Sequence, residues 1–288
     1  MKKKQLQRLK KQLKNSKKSP RQVKPTSYIG QITHYAELFS YFPQIKYLTN
    51  NVIEADRLLK QGLLPQPLPK LLLPDNIQDV IFQFLNDRYP QGDHQGDVLW
   101  EKYSAALPKL DKLLRDFRDY LENTYGMWSY TNFAFINALS QYLDGQPVLE
   151  IMAGNGYISK GLRDKNPFQT IYTTDSKAWV KENETGKHPV TEVETLTAVA
   201  AIQKYGQQVK FVIMSWAPDK DESDYQILKL LREQFPNVRF LVIGERNGAT
   251  NSKRFWQLAQ LSQPAELKAI NQALTSFDLI DEQVYLVE

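Results

Sequence analysis

The stretch PVLEIMAGNGYISKGL, residues 147 to 162, places an acid, Glu150, near the end of an apolar run. Met152, Ala153, Gly154, Asn155 and Gly156 follow before a helical pattern begins. Small residues at a strand-to-helix turn let backbone N–H groups approach a ligand without a Cβ in the way, and glycine tolerates the positive φ of a tight turn. This is nucleotide-binding chemistry. Twenty-five residues after Glu150, Asp175 ends a second apolar run, IYTTD. A carboxylate there can accept hydrogen bonds from two vicinal ribose hydroxyls at once, or it can cap the next helix. The dinucleotide fingerprint asks for three glycines in the first turn. Met152 stands at the first of them, and Glu150 suits a cationic ligand better than a pyrophosphate.

Other chemistries are poorly served. The chain of 288 residues has no cysteine, which excludes disulfides, thiolate catalysis and the common structural zinc sites. His34, His94 and His188 lie far apart and show no ligand spacing, so no metal site is expected.

The elements that must hold these residues follow from the apolar pattern. After Pro147, short runs rich in Val, Ile and Phe (PVLEIMA, QTIYTTD, VKFVIMSW, VRFLVIGE and a last one near EQVYLVE) alternate with helical segments. These are YISKGLRDK, TLTAVAAIQKYG, DYQILKLLREQF and KRFWQLAQL. Strand and helix in alternation predict a doubly wound α/β domain with a parallel sheet covered on both faces. From Tyr28 to about Asp144 the spacing is helical, as in AELFSYF, IQDVIFQFL and LDKLLRDFRDYL; in the last, Asp111 with Arg115 and Lys112 with Asp116 form i, i+4 pairs. The proline-rich LLPQPLPKLLLP, residues 63 to 74, reads as a linker or a packed extended segment.

The net charge of +5 conceals an uneven distribution. Residues 1 to 25 hold 11 of the 37 basic residues and none of the 32 acids, leaving 26 against 32, or −6, on the rest. Leu6, Leu9 and Leu13 recur at helical spacing among the lysines of this tail. A solvated arm is expected, able to form a short amphipathic helix on an anionic partner such as RNA or a membrane surface. Its charged start leads into no continuous apolar region, and no run approaches a membrane span, so a soluble, cytoplasmic protein is expected.

VLEIMAGNGYIS resembles motif I of the class I S-adenosylmethionine-dependent methyltransferases: an apolar strand, an acid, a small-residue loop with a Gly-x-Gly core, then an aromatic or apolar helix start. Met152 replaces the family's first loop glycine. The resemblance covers about residues 125 to 288 and implies a mostly parallel, seven-stranded-type sheet that binds S-adenosylmethionine. It assigns Glu150, Met152, Ala153, Gly154, Asn155 and Gly156 to the cofactor, Asp175 to its ribose and Glu194 to its adenine pocket. After the fourth strand, Ser215, Trp216, Ala217 and Pro218 resemble a scrambled form of the polar-Pro-Pro-aromatic motif of amino-group methyltransferases, with Trp216 available to stack on a planar substrate. Glu245 is the candidate general base. YGMWSYTNFAFINAL sits where the family closes a helix and loop over the cofactor. The implied organisation is a tail (1–25), a helical region (26–120) and a Rossmann-like methyltransferase domain (121–288). The implied activity is in-line methyl transfer to a small molecule, a protein or a nucleic acid. Two other readings remain open: a non-catalytic binding protein with a degenerate cofactor site, and a nicotinamide-dependent oxidoreductase.

Overall fold

A computed structural model describes residues 27–178 and 188–288. The expectations for the basic tail therefore lie outside the described residues.

Among the described residues six helices come first: α1 (Tyr28–Leu38), α2 (Pro43–Lys60), α3 (Ile77–Asn86), α4 (His94–Arg115), α5 (Phe117–Tyr125) and α6 (Phe133–Leu143). Their starts follow local chemistry. The side chains of Ser27, Asp93 and Asn132 accept from backbone N–H groups of the first turns of α1, α4 and α6, and Pro43 opens α2. LDKLLRDFRDYL, expected as one helix, breaks at Asp116, which caps α4. Both i, i+4 ion pairs form, Arg115 with Asp111 at 2.8 Å and Lys112 with Asp116 at 2.6 Å. Gly126, at φ 58, ends α5 by letting its own N–H and that of Met127 return to Glu122 and Leu121.

The proline-rich segment is packed and extended. Leu68 and Leu71 are buried, Pro65 accepts from the N–H of Phe133, and the N–H of Leu71 reaches the carbonyl of Phe277. Phe277, far along the chain, belongs to the same apolar cluster as Phe39, Phe42, Val52 and Phe117, so the helices share their core with the C-terminal part. Residue 120, the expected end of the helical region, lies within α5, which is one continuous helix.

The second half contains β1 (Val148–Ile151), α7 (Tyr157–Lys165), β2 (Ile171–Asp175), β3 (Glu194–Thr195), α8 (Ala198–Tyr205), β4 (Phe211–Ser215), α9 (Ser223–Gln234), β5 (Arg239–Gly244), α10 (Lys253–Leu258), β6 (Leu261–Ser262), α11 (Lys268–Ala273) and β7 (Gln283–Val287). The sheet order is β3-β2-β1-β4-β5-β7-β6. β7 runs antiparallel to both neighbours, and the other pairings are parallel. The chain is thus a doubly wound α/β protein with a mostly parallel seven-stranded sheet.

Alternation along the strands sends Leu149, Ile151, Val212, Met214 and Val242 to one face, against residues of α8, α9 and α10. Val148, Phe211, Ile213, Leu241 and Ile243 face the other way, onto α6, α7 and α11. Both faces are dry, as a mostly parallel sheet requires. From β1 the chain steps first to β2 and β3, then returns to β4 on the opposite side. Such a reversal opens a crevice beyond the carboxyl ends of β1 and β4.

Candidate functional site

Strained backbone concentrates at that edge. Of the six non-glycine residues with positive φ among the described residues, Met152, Lys177, Trp216, Asn247 and Asn251 all follow the carboxyl ends of β1, β2, β4 and β5. The sixth, Asp144, merely ends α6. A side chain held there costs about 1–3 kcal/mol and persists only where its surroundings enforce it. Met152, at φ 53, occupies the left-handed conformation that ordinarily favours glycine.

The first turn is fixed from three sides. Ala153 donates to the carbonyl of Thr174 on β2 (3.0 Å), and Gly156 closes the turn onto the carbonyl of Ala153 (2.8 Å). Asn155 Nδ2 and the Tyr157 hydroxyl both donate to the carbonyl of Tyr125, at 3.1 and 2.9 Å. This ties the turn to the end of α5, where YGMWSYTN begins. Gly156 has φ +80, and a Cβ on it would lie 2.7 Å from a methyl carbon of Thr191. Its freedom serves tight packing against the segment before β3.

Asp175 joins this turn to the next loop. Its buried carboxylate accepts from the Gly154 N–H at 2.8 Å and from the Lys177 N–H at 2.6 Å. Glu150 points elsewhere. It is 2% exposed and accepts from both the N–H (2.9 Å) and the hydroxyl of Ser159, so it anchors the first turn of α7. Burial pushes its carboxyl up to about 7, against the opposing pull of the Ser159 hydrogen bonds.

Glu194 lies on the edge strand β3, turned toward α8. Its oxygens accept from Lys204 Nζ and the Tyr205 hydroxyl, each at 2.6 Å, and these bonds hold its carboxyl below the usual range. Glu245 closes its own loop, accepting from the N–H groups of Ala249 (2.8 Å) and Asp281 (3.1 Å). Ser215 ends β4, and its hydroxyl oxygen is buried without a hydrogen-bond partner among the described residues. Trp216 donates its N–H to the carbonyl of Ile243, Ala217 is buried, and Pro218 is exposed.

Four residues that sequence reasoning passed over meet at Trp216. Its indole Nε1 donates to Glu282 Oε2 at 2.6 Å, and the same oxygen accepts from the Ser129 hydroxyl at 2.9 Å. The Arg118 guanidinium lies 4.7 Å from the Trp216 ring and makes a forked ion pair with Asp278, at 2.5 and 3.2 Å. Glu282 directly precedes β7, which begins opposite Gly244 at the end of β5. Its only signal in the sequence is an acid before the last strand, useful once that strand is known to be antiparallel.

No family model matches the chain, and no curated protein matches it. Solved structures do align with it. The plantazolicin methyltransferase BpumL in complex with SAH does so at 11% identity and a TM-score of 0.32, over 60% of this chain and 61% of that one. The pyocyanin biosynthetic protein PhzM aligns at 14% identity and a TM-score of 0.37, over 90% and 93%. A mutant of MtNAS in complex with S-adenosylmethionine aligns at 10% identity and a TM-score of 0.35, over 90% and 97%.

Proposed function

We propose that the chain is an S-adenosylmethionine-dependent methyltransferase. The observation that carries this reading is the junction of Asp175 with Gly154 beyond β1 and β2, at the point where the sheet order reverses. Ligands of open α/β sheets bind at such a point. A carboxylate offers about four lone-pair sites, so Asp175 is chemically suited to accept ribose hydroxyls beside the backbone groups it already holds. The turn from Met152 to Gly156 would lie along the rest of the cofactor. The residues present therefore fit the group.

When bound, the cofactor supplies a methyl group already activated on a sulfonium. What remains for the protein is to bind, orient and shield. Glu150 fixes the first turn of α7 through Ser159. Tyr125, through its carbonyl, holds Asn155 and Tyr157 and so docks the helical layer against the turn. Ser215 and Trp216 stand on the acceptor side.

A nicotinamide cofactor is served less well. The dinucleotide fold orders its strands 3-2-1-4-5-6, whereas antiparallel β7 here lies between β5 and β6. Met152 and Tyr157 also stand at the first and third glycine positions of the fingerprint.

For the tail, we keep the reading of an arm that attracts an anionic partner. Among the described residues no helix is long and apolar enough to cross a membrane; a cytoplasmic location is part of the proposal. Incubation with methyl-labelled S-adenosylmethionine and cell extract tests the activity. Label should enter an acceptor with the wild type and be lost with Asp175→Ala. No incorporation by the folded wild type into any fraction would count against methyl transfer.

A further inference from the structure

Arg118 is one cation between buried Glu282 and half-buried Asp278. It engages Asp278 through both arms of its fork, its third nitrogen donates to the Trp128 carbonyl at 2.6 Å, and Glu282 Oε1 lies 3.9 Å away. Glu282 is 1% exposed. Its Oε2 is engaged twice, by Trp216 and Ser129, while Oε1 has no hydrogen-bond partner among the described residues. Ser215 Oγ, one residue before Trp216, is buried in the same condition. Among the described residues, a carboxylate oxygen and a hydroxyl at one end of the sheet therefore lack hydrogen-bond partners, and that carboxylate shares the Arg118 guanidinium with Asp278. Burial raises the Glu282 carboxyl above its ordinary range, against the opposing pull of Arg118 and of the Trp216 and Ser129 hydrogen bonds, so that it readily holds a proton. The aromatic surface shown at the cluster is the Trp216 indole. The Trp216 ring is held at its edge by Glu282, and Trp128 and Leu279, 40% and 75% exposed, adjoin Ser129 and Asp278 in the chain.

We propose that this cluster is the acceptor half of the site and that it takes a flat, apolar amine, whose N–H groups meet Glu282 Oε1 and Ser215 Oγ. The physical reason is a deficit of donors. A buried acceptor left without one costs the full desolvation of that atom, and an ammonium supplies both donors and the missing charge. An alcohol supplies one donor and no charge, and a carboxylate adds repulsion. Aromatic rings and cations are both attracted to an indole. For methyl transfer the ammonium gives one proton to the Glu282 carboxylate, and the freed nitrogen lone pair forms the new N–C bond as the sulfonium S–C bond breaks to leave a neutral thioether. The catalytic meaning of the cluster rests on the methyl-transfer reading, whereas its preference for an amine does not.

Three ligands sharing an indole ring and differing in charge separate these cases: tryptamine, tryptophol and indoleacetate. Each is titrated calorimetrically into the full chain, with and without SAH, and SAH is titrated alone. Tryptamine should bind at least about tenfold more tightly than tryptophol, with indoleacetate weakest. Glu282→Gln, which keeps the volume and removes the charge, should bring tryptamine to within about threefold of tryptophol. Equal binding of the three by the wild type, binding of none, or an unchanged ranking in Glu282→Gln would overturn the proposal. The wild-type ranking decides by itself if the variant does not fold. Tryptamine preference without SAH binding would sink methyl transfer and leave the amine site standing.

Discussion

Asp175 Oδ2 accepts a 2.8 Å hydrogen bond from the backbone N–H of Gly154, so that the loops after β1 and β2 are joined directly. A second carboxylate, Glu150, lies on the strand next door and faces α7. Two acids at one edge thus divide their work: one joins the loops, the other fixes the helix that follows.

The tight turn should tolerate no side chain at Gly156. A Cβ there meets a methyl carbon of Thr191 at 2.7 Å and one of Val193 at 3.1 Å, and the residue sits at φ +80. Strain and overpacking together should make Gly156→Ala less stable by about 2–4 kcal/mol in urea unfolding. A change below about 0.5 kcal/mol, the scale of an ordinary surface substitution, would mean that the turn is not held as described.

Stability should fall as pH rises, in part through Glu150. Its folded-state carboxyl is raised from 4.5 to about 7. In that window the folded protein keeps a proton that the unfolded chain has lost. The stability this proton confers is present at low pH and is lost as pH passes through the folded value, by about 3 kcal/mol at most. Glu150→Gln, whose amide oxygen can still accept from Ser159, should lose less stability than the wild type between pH 5 and pH 8 in calorimetric melting. The comparison between variants isolates Glu150, because buried Glu282 shifts in the same direction. Parallel pH profiles would contradict the assignment.

Arg118 should be costly to remove. It is 7% exposed and faces Asp278 and Glu282. Arg118→Met would leave both carboxylates without their cation, a loss of about 3–5 kcal/mol. Denaturation with urea measures it; a loss under about 1 kcal/mol, the value of a surface pair, would contradict the burial of this cluster.

Deleting residues 1–25 should leave SAH affinity unchanged and weaken retention on RNA or anionic vesicles, with the salt dependence of that retention reduced. Collapse of SAH binding would make the tail part of the cofactor site.

Much of the frame was legible in the sequence because the central strands are continuous Val- and Ile-rich runs, and α7 spans the segment YISKGLRDK end to end. β3 and β6, two residues each, are too short to show a period. The break at Asp116 was invisible because the apolar spacing runs through it unchanged. Asp175 could be placed from its position at a strand end. Arg118 could not, since it lies among charges typical of a solvated helix and its partner Asp278 is 160 residues away. Glu282 stayed hidden for a topological reason: only the reversed direction of β7 brings its start, and Glu282 just before it, to the edge where β4 and β5 end.

The most direct measurement is a calorimetric titration of S-adenosylmethionine, SAH and NAD into the wild type and Asp175→Ala. The account predicts that the first two bind, that NAD does not, and that Asp175→Ala weakens binding by about 10- to 100-fold, the value of one or two hydrogen bonds to a charged group. Binding of NAD in their place, or equal affinity of S-adenosylmethionine for both proteins, would contradict it.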